Sequence, residues 1–381
     1  MALNVVSSDR LSTNVKTSNL ATGLSGKVGS SKNLIINGAM QVAQRGTSGT
    51  TNGYGSVDRF AVWYGGTDEA PTQEQVSLTS GAPFDVGFKK AFKLTNGNQT
   101  SGAGADDSIE IQTALEGQDI NNSGWVASDP NSKLTISYWV KSSVGQTFYM
   151  RFRAFASSEY EYTYSVALSA ATWTKVTKTI PGNANFSSIV TTNAKGFFHS
   201  WALFNGTDQT NNKTLDQWAV KDNANKSPDC TSTWYTTNDA TFEITGAQLE
   251  AGDTATDFEF MSYGKDLERC SRYYWRITEW DGNNNKGIGI GWYHSSSDAR
   301  CLIALPVAMR SPPTVVSNDT SNSWYINAGS GGDLLNDWVL YSATERVVIV
   351  KNASDVSGTA GEAGWCASET SDASLAFNAE L

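Results

Sequence analysis

The sequence is poor in charged residues, cysteine and histidine, and each shortage excludes a class of protein. Charged residues make up 17% of the 381 residues, too few for a disordered chain or a long coiled coil. The four cysteines have no CxxC spacing and are too sparse for a disulfide scaffold, so neither a structural zinc site nor a disulfide-stabilised fold is expected. There are two histidines, His199 and His294, and no Gly-x-Ser-x-Gly segment accompanies them, so no hydrolase pattern is present.

Long apolar runs are also missing. The longest, Leu302–Met309, contains Pro306 and is far too short to cross a bilayer. The N-terminus has no basic segment that leads into an apolar one, which is the pattern of a signal peptide. We therefore expect a soluble protein without membrane insertion that folds in the cytoplasm.

Charge is distributed unevenly along the chain. The net charge is −10, and a protein that binds duplex nucleic acid needs a basic face, so nucleic-acid binding is disfavoured. The first 32 residues carry four basic residues against Asp9, which gives +3 and leaves −13 on the remainder. This asymmetry predicts a short helical or extended arm at 1–32 that attaches to an acidic partner, with an ordinary solvated tail as the alternative. Its anchoring candidates are Arg10, Lys16 and Lys27.

From residue 33 onward, short β-type runs alternate with Gly, Asn, Ser and Thr. About eleven such runs between 33 and 262 predict an all-β fold, a jelly-roll sandwich, with a polar surface loop at 205–233. Tyr263–Tyr274 predicts a short connecting helix, and a smaller β domain follows. Gly287–Gly291 alternates glycine with isoleucine and predicts a closely packed strand, not a nucleotide-binding loop. The expected domains are 1–32, 33–262 and 263–381.

The aromatic residues, 11% of the chain, point to saccharide binding. Sugar rings stack on aromatic rings, and their hydroxyls take planar polar partners. Alternation in two successive strands defines two sets of side chains. Tyr149, Arg151 and Arg153 share the polar face of the first strand, and the second strand has on one face Tyr160, Tyr162 and Tyr164. If the two strands pair, we expect one surface of tyrosine and arginine. The alternative is that these rings belong to the core or to a subunit interface.

No catalytic, metal or cofactor site is predicted. The chain has 38 acidic residues, so carboxylate pairs occur by chance. If the protein instead cleaves polysaccharide, the candidates are Asp106, Asp107, Glu159 and Glu161, of which Asp107 and Glu161 would be mutated first. One further alternative is a structural calcium, because jelly rolls often hold one between carboxylate and carbonyl oxygens. Its candidate ligands are Asp58, Asp253 and Asp257.

Several segments resemble bacteriophage fibre and appendage proteins with jelly-roll domains. The opening strand of those domains resembles Asn33–Thr47 together with Val57–Phe60, and their closing strand resembles Gly246–Glu259. The segment that follows in that family resembles Leu267–Tyr274, and its last strand resembles Ala376–Leu381. Strands of carbohydrate-binding jelly rolls resemble Leu134–Lys141 and Trp173–Thr177.

This resemblance implies a tail-fibre-like component of the virion, assembled in the cytoplasm of the host bacterium. It implies a homotrimer that attaches through residues 1–32 to other tail or head proteins and adsorbs to host surface polysaccharide without catalysis. Several weak sugar sites on one rigid assembly would raise the overall avidity. The alternatives are a head fibre or capsid decoration protein, a secreted carbohydrate-binding module, and a depolymerase.

Overall fold

Two antiparallel sheets packed face to face form the larger part of the computed structural model, which describes residues 32–277, 286–317, 321–329, 331–370 and 373–381. In spatial order, sheet A contains β1 (Ser48–Gly49), β3 (Thr72–Ser77), β4 (Lys90–Thr95), β12 (Thr241–Ala251), β6 (Lys133–Ser142) and β9 (Thr174–Pro181). Sheet B contains β11 (Trp218–Val220), β8 (Glu159–Leu168), β7 (Gln146–Phe155), β10 (Lys195–Asn205), β5 (Ser108–Glu116) and β2 (Ala61–Gly65). The predicted all-β sandwich is confirmed.

The core lies between these sheets and is rich in aromatic rings. Ring centroids of Phe148 and Phe242 are 5.1 Å apart, and those of Tyr138 and Trp201 are 5.5 Å apart, in both cases joining one sheet to the other. Such edge-to-face pairs contribute about 0.5–1.5 kcal/mol beyond the burial of their area. The predicted alternation of β7 is confirmed, because its even-numbered residues 148–154 are all buried in this core.

The segment Asn33–Thr47, predicted as the opening strand, does not form one. Backbone φ is +60° at Asn37 and +59° at Met40, a left-handed conformation that a strand does not contain. The Asn37 amide donates to the carbonyls of Val42 and Asp58 and so holds a buried turn. The prediction was wrong because apolar residues can be buried by a turn as well as by a strand.

Helices are short and lie at the ends of the strands. They are α1 (Ala82–Asp85), α2 (Gly117–Asn121), α3 (Thr233–Thr236) and α4 (Tyr263–Ser271), with 3-10 turns at Ala184–Ser188 and Thr207–Gln209. The predicted connecting helix is confirmed as α4, and the side chain of Ser262 caps it by accepting from the backbone N–H of Lys265. In the part of the chain that the structure describes, no helix is long and apolar enough to cross a membrane.

Two further sheets follow α4. Sheet C contains β13 (Tyr274–Arg276), β22 (Leu375–Asn378) and β16 (Thr314–Ser317). Sheet D contains β18 (Gly331–Leu335), β17 (Trp324–Ala328), β21 (Ala363–Ser368), β14 (Lys286–Ser295), β15 (Asp298–Ala304), β20 (Val347–Asn352) and β19 (Val339–Ala343). A second buried cluster, separate from the sandwich core, joins these sheets.

Glycines alternate with other residues in strand β14 because neighbouring groups leave no room for a side chain at two of them. A Cβ on Gly289 would lie 2.3 Å from the carbonyl oxygen of Leu302, and one on Gly291 would lie 2.5 Å from the sulfur of Cys366. The predicted close packing is therefore confirmed at these two glycines, whereas Gly287 has nothing within 4 Å.

One buried and one half-buried ion pair join the sandwich to the C-terminal sheets. The guanidinium of Arg59 contacts the carboxylate of Glu380, and Arg272 donates to both oxygens of Glu116 at 2.7 and 2.8 Å. The ring of Tyr273 covers Arg59, with its centroid 3.5 Å from the guanidinium carbon. We call Arg59, Glu380, Arg272 and Glu116 the junction cluster.

Candidate ligand-binding face

The outer face of sheet B, the face turned away from the core, carries most of the predicted site. Strand β7 contributes Tyr149, Arg151 and Arg153 to it, as the alternation predicted. The neighbouring strands β8, β10, β5 and β2 add polar and aromatic side chains, which are Glu161, Thr163, Ser200, Glu110, Gln112 and Trp63.

Strands β7 and β8 do pair, but the expected shared surface of tyrosine and arginine is wrong. In the register, Tyr160, Tyr162 and Tyr164 lie opposite Ala154, Phe152 and Met150, which face the core. Facing residues of an antiparallel pair point to the same side of the sheet. The three tyrosines of β8 therefore lie on the opposite side from the arginines of β7.

These tyrosines belong to the sandwich core. Tyr162 and Tyr164 are buried, and Tyr160 packs against Phe186 with ring centroids 5.5 Å apart. The hydroxyl of Tyr164 is 2.8 Å from Nε2 of His199, and burial lowers the pKa of this histidine to about 3. His199 is thus a neutral core residue at ordinary pH. Sugar contact remains a prediction for Tyr149, Arg151 and Arg153.

Strands β5, β7 and β8 together carry a connected group of charges across the outer face of sheet B. Arg151 donates to Glu110 at 2.5 Å, while Arg153 donates through Nε and Nη2 to Glu161 at 3.0 and 2.6 Å. Nη1 of Arg151 is 3.5 Å from Glu161 and so bridges the two pairs. We call Glu110, Arg151, Arg153 and Glu161 the face network.

Neutral polar groups complete the surroundings of Glu110. The hydroxyl of Ser200 donates to this carboxylate at 2.5 Å, and the amide of Gln112 donates at 2.7 Å. Burial alone would raise the pKa of Glu110, but Arg151, Ser200 and Lys226 together hold it below its ordinary value. Glu110 is therefore a fixed, ionised acceptor at neutral pH.

The segment 206–232 covers one half of this face. It was predicted as a surface loop, and within it β11 pairs with β8. Lys213 reaches down to Glu161, with Nζ 3.8 Å from Oε2, and Thr163 donates to the carbonyl of Lys226. These contacts bury Glu161 and Arg151. The half formed by β5 and β2 carries the more accessible side chains.

A tryptophan stands on that open half. Trp63 is 41% exposed and lies directly opposite Glu110 in the β2–β5 register. Its ring passes beside Gly53, where an added Cβ would lie 3.6 Å from Cη2. The result is an apolar platform next to a held carboxylate and the Gln112 amide, a combination that suits one face and the hydroxyls of a sugar ring.

Trp63 and Glu110 were not among the predicted site residues, although the sequence carries a signal for both. Ile109 and Ile111 are buried, and the residues between and after them, Glu110 and Gln112, alternate outward. Likewise Trp63 follows the buried Val62. The same period-two argument that identified Arg151 would have assigned these side chains to an outer face.

The three carboxylates considered as calcium ligands do not come together. Asp58 is buried and accepts hydrogen bonds from the backbone and side chain of Gln44. Asp253 and Asp257 are exposed at the far end of the closing segment. In the described ranges, no group of three or more His, Cys, Asp or Glu side chains is placed to hold a metal ion.

No family model matches the chain, and no curated protein matches its sequence. Among solved structures, the enzymatically active domain of tailspike protein 4 from bacteriophage CBA120 is similar over 58% of this chain and 22% of the tailspike chain, at 10% identity and a TM-score of 0.32. The family 11 carbohydrate-binding module of Lic26A-Cel5E from Clostridium thermocellum is similar over 55% of this chain and 96% of the module, at 10% identity and a TM-score of 0.27. TmCBM61, solved with β-1,4-galactotriose, is similar over 58% of this chain and all of that module, at 10% identity and a TM-score of 0.29. Likenesses this low carry no argument about function.

Proposed function

We propose that this protein is a tail-fibre-like structural component of a bacteriophage particle that adsorbs to host surface polysaccharide. Sugar binding takes place on the open half of the outer face of sheet B. The observation that carries the proposal is the exposed ring of Trp63 beside the ordered carboxylate of Glu110. The phage context is supported by the sequence resemblance of Asn33–Thr47, Gly246–Glu259 and Leu267–Tyr274.

The mechanism is reversible binding without covalent chemistry. The Trp63 ring takes the apolar face of a sugar, while Glu110 and Gln112 take hydroxyl groups beside it. The charges of Arg151 and Arg153 fix the Glu110 and Glu161 carboxylates in place before the ligand arrives, so less ordering is needed on binding. One such site binds weakly, and several copies on one rigid particle supply the avidity.

A homotrimer provides those copies in this proposal. The outer face of sheet D carries exposed apolar side chains, with Ile290 64% and Trp365 37% exposed. Ile290 lies next to Leu302 on one side and Trp365 on the other, so these side chains form one continuous strip. Association of three chains would cover this strip, because contiguous apolar surface of this kind marks protein contacts. Residues 1–32, with Arg10, Lys16 and Lys27, would attach the assembly to the particle; these three lie outside the described residues.

The deciding experiment compares two tryptophans of similar exposure. Purified full-length protein is tested for binding to host cells, with and without periodate oxidation of surface sugars. Trp63→Ala should weaken binding at least about tenfold, since a stacked ring is lost. Trp365→Ala, in the strip assigned to the trimer contact, should leave the affinity for a soluble host oligosaccharide unchanged and lower cell binding only through lost avidity.

Each other result identifies a different failure. If periodate leaves binding unchanged, the receptor is not a polysaccharide. If Trp365→Ala abolishes binding and Trp63→Ala does not, the C-terminal sheets carry the contact. If the protein neither binds cells nor blocks adsorption, the receptor-binding role is excluded. Immunogold labelling of the particle would then distinguish a head fibre from another structural component.

A further inference from the structure

A pocket that is separate from the Trp63 site lies on the opposite side of the sandwich. It has a volume of about 380 Å³, within the roughly 300–1,000 Å³ range of small-molecule sites. The turn before β4 and the segment that leads into α4 form its walls, and the side chains that matter most are Phe88, Lys89, Lys90, Phe260, Tyr263 and Gln41. The lining of this pocket shares no residue with the predicted saccharide site or with the site at Trp63.

Aromatic rings form the floor and walls of the pocket. Phe88, which is buried, contacts the ring of Phe258 at 4.8 Å and that of Phe260 at 4.9 Å between centroids. Phe260 is nevertheless 52% exposed, and Tyr263 is 55% exposed. Two large rings that remain so exposed on a rigid aromatic base form a stacking surface for a planar or ring-shaped apolar face.

A glycine keeps this corner open. Gly87 has φ of +111°, which residues with a side chain rarely adopt, and a Cβ there would lie 3.2 Å from Cζ of Phe260. Any larger residue would push against the Phe260 ring.

The polar groups of the pocket are cationic or neutral. Lys90 donates to Ser77 at 3.0 Å, and the ammonium of Lys89 lies 3.5 Å from the ring centroid of Phe84. Among the described residues neither lysine forms an ion pair, and the lining contains no carboxylate. The Gln41 amide donates at 3.4 Å to the carbonyl of Met261 and to Asp266, a distance at which a ligand readily replaces the contact.

We propose that this pocket is a second saccharide site and that it takes a sugar carrying a carboxylate. The rings of Phe260 and Tyr263 stack on the sugar, the Gln41 amide contacts a hydroxyl, and Lys89 and Lys90 face the carboxylate. The ammonium groups of Lys89 and Lys90, which contact only the neutral Phe84 ring and Ser77 hydroxyl among the described residues, give this pocket a local positive charge that favours an anionic ligand despite the net charge of −10. The proposal rests on the proposed function only in taking a saccharide as ligand, because the two sites share no residue.

The test uses glucuronate and glucose, which differ only in the C6 carboxylate, as probes of the full-length protein. Ligand-observed NMR titration should show glucuronate binding about fivefold more tightly than glucose, the size expected for partly exposed ion pairs. The double variant Lys89→Gln/Lys90→Gln should remove this preference, so that glucuronate and glucose bind with the same affinity. Lys175→Gln, an exposed lysine on the edge strand β9 of the same sheet, is the matched control and should have no effect.

Substitutions of Phe260 and Trp63 show which of the two sites gives the binding seen by NMR. Phe260→Ala should weaken both probes about tenfold at this pocket, and a thermal melt checks that it folds. If both probes bind equally, or the lysine variant changes nothing, the carboxylate assignment is overturned. If Trp63→Ala abolishes all binding and Phe260→Ala has no effect, this pocket is excluded and the proposed function stands. The reverse pattern excludes the Trp63 site and keeps this one, and absence of any binding overturns both.

Discussion

The junction cluster and the face network are both built from arginine and glutamate, yet their surroundings differ. In the junction cluster, Arg59 and Glu380 join residues that are distant along the chain, and the ring of Tyr273 covers the guanidinium. In the face network, Arg151 and Glu110 lie on one sheet, beside the exposed Trp63. The ion pair of Arg59 and Glu380 stabilises the connection between two parts of the fold, whereas the face network, in which the Glu110 side chain keeps 15% exposure beside Trp63, also offers an ordered carboxylate to a ligand.

Hydrogen bonding shows the same difference. Glu116, in the junction cluster, accepts from Arg272 and from the hydroxyl of Tyr273 at 2.6 Å, so protein groups take both of its oxygens. In the face network, Oε2 of Glu161 and both Nε and Nη1 of Arg151 are buried without a hydrogen bond within the protein, whereas in the junction cluster this holds only for Nε of Arg59, among the described residues. Unsatisfied buried groups lower stability, and they are concentrated at sites that have a function besides stability.

The largest expected effect comes from opening the junction cluster. Glu380→Ala should lower the free energy of unfolding by about 3–5 kcal/mol, because it leaves the buried guanidinium of Arg59 without its carboxylate. Urea denaturation followed by tryptophan fluorescence measures the change. The double variant Arg59→Met/Glu380→Leu should recover most of the loss, since a buried ion pair is often replaceable by apolar side chains.

An exposed glutamate provides the comparison for this experiment. Glu345→Ala, on the surface near β20, should change the free energy of unfolding by less than about 0.5 kcal/mol. A loss for Glu380→Ala no larger than this would show that the junction cluster does not hold the two parts together.

A smaller effect is expected from the face network. Glu161→Gln removes the carboxylate shared by Arg151, Arg153 and Lys213, and should cost about 1.5–3 kcal/mol, the usual contribution of hydrogen bonds to a charged group. Hydrogen exchange should also speed up in segment 206–232, because Lys213 loses its partner.

Glu159→Gln is the matched control for that substitution. Glu159 lies on the same strand and pairs with Arg153 and Lys221, but its side chain is far more accessible to water. Its loss should cost less than about 1 kcal/mol. Equal losses for the two variants would mean that burial of Glu161 does not strengthen the face network.

The sequence predicted the strands of the sandwich well because each combines period-two alternation with turn residues at its ends. Helix α4 likewise begins at Tyr263, the first residue of the segment predicted to be helical. These features depend on neighbours within a few residues, which a single sequence displays directly.

Features that depend on the register of two strands could not be predicted. Period two shows that Tyr162 and Tyr164 share a face, but not whether that face lies with Arg151 or against the core; only the pairing of Phe152 with Tyr162 decides it. The contact of Arg59 with Glu380 spans 321 positions, and no local pattern marks either residue. The Asn37 turn was missed because its buried side chains resemble those of a strand.

The smallest predicted effect is a difference in how the two clusters make the free energy of unfolding depend on pH. Burial raises the pKa of Asp58, beside Arg45 at the junction, to about 6, whereas the pKa of Glu110 in the face network lies below its ordinary value. A raised pKa means that the folded state gains a proton first, so stability should increase by about 1 kcal/mol as the pH falls from 7 to 5. A lowered pKa means that the unfolded state gains the proton first. The stabilisation by ionised Glu110 is therefore complete at pH 7 and is lost only as the pH falls below about 4.5.

Unfolding free energies at pH 7, 5 and 4 test both signs in one series. Asp58→Asn should remove the gain between pH 7 and 5 and leave the loss at lower pH, and Glu110→Gln should reduce that loss and keep the gain. A gain between pH 7 and 5 that persists in Asp58→Asn would assign the proton to another group. It would also remove the titration that distinguishes the junction from the face network.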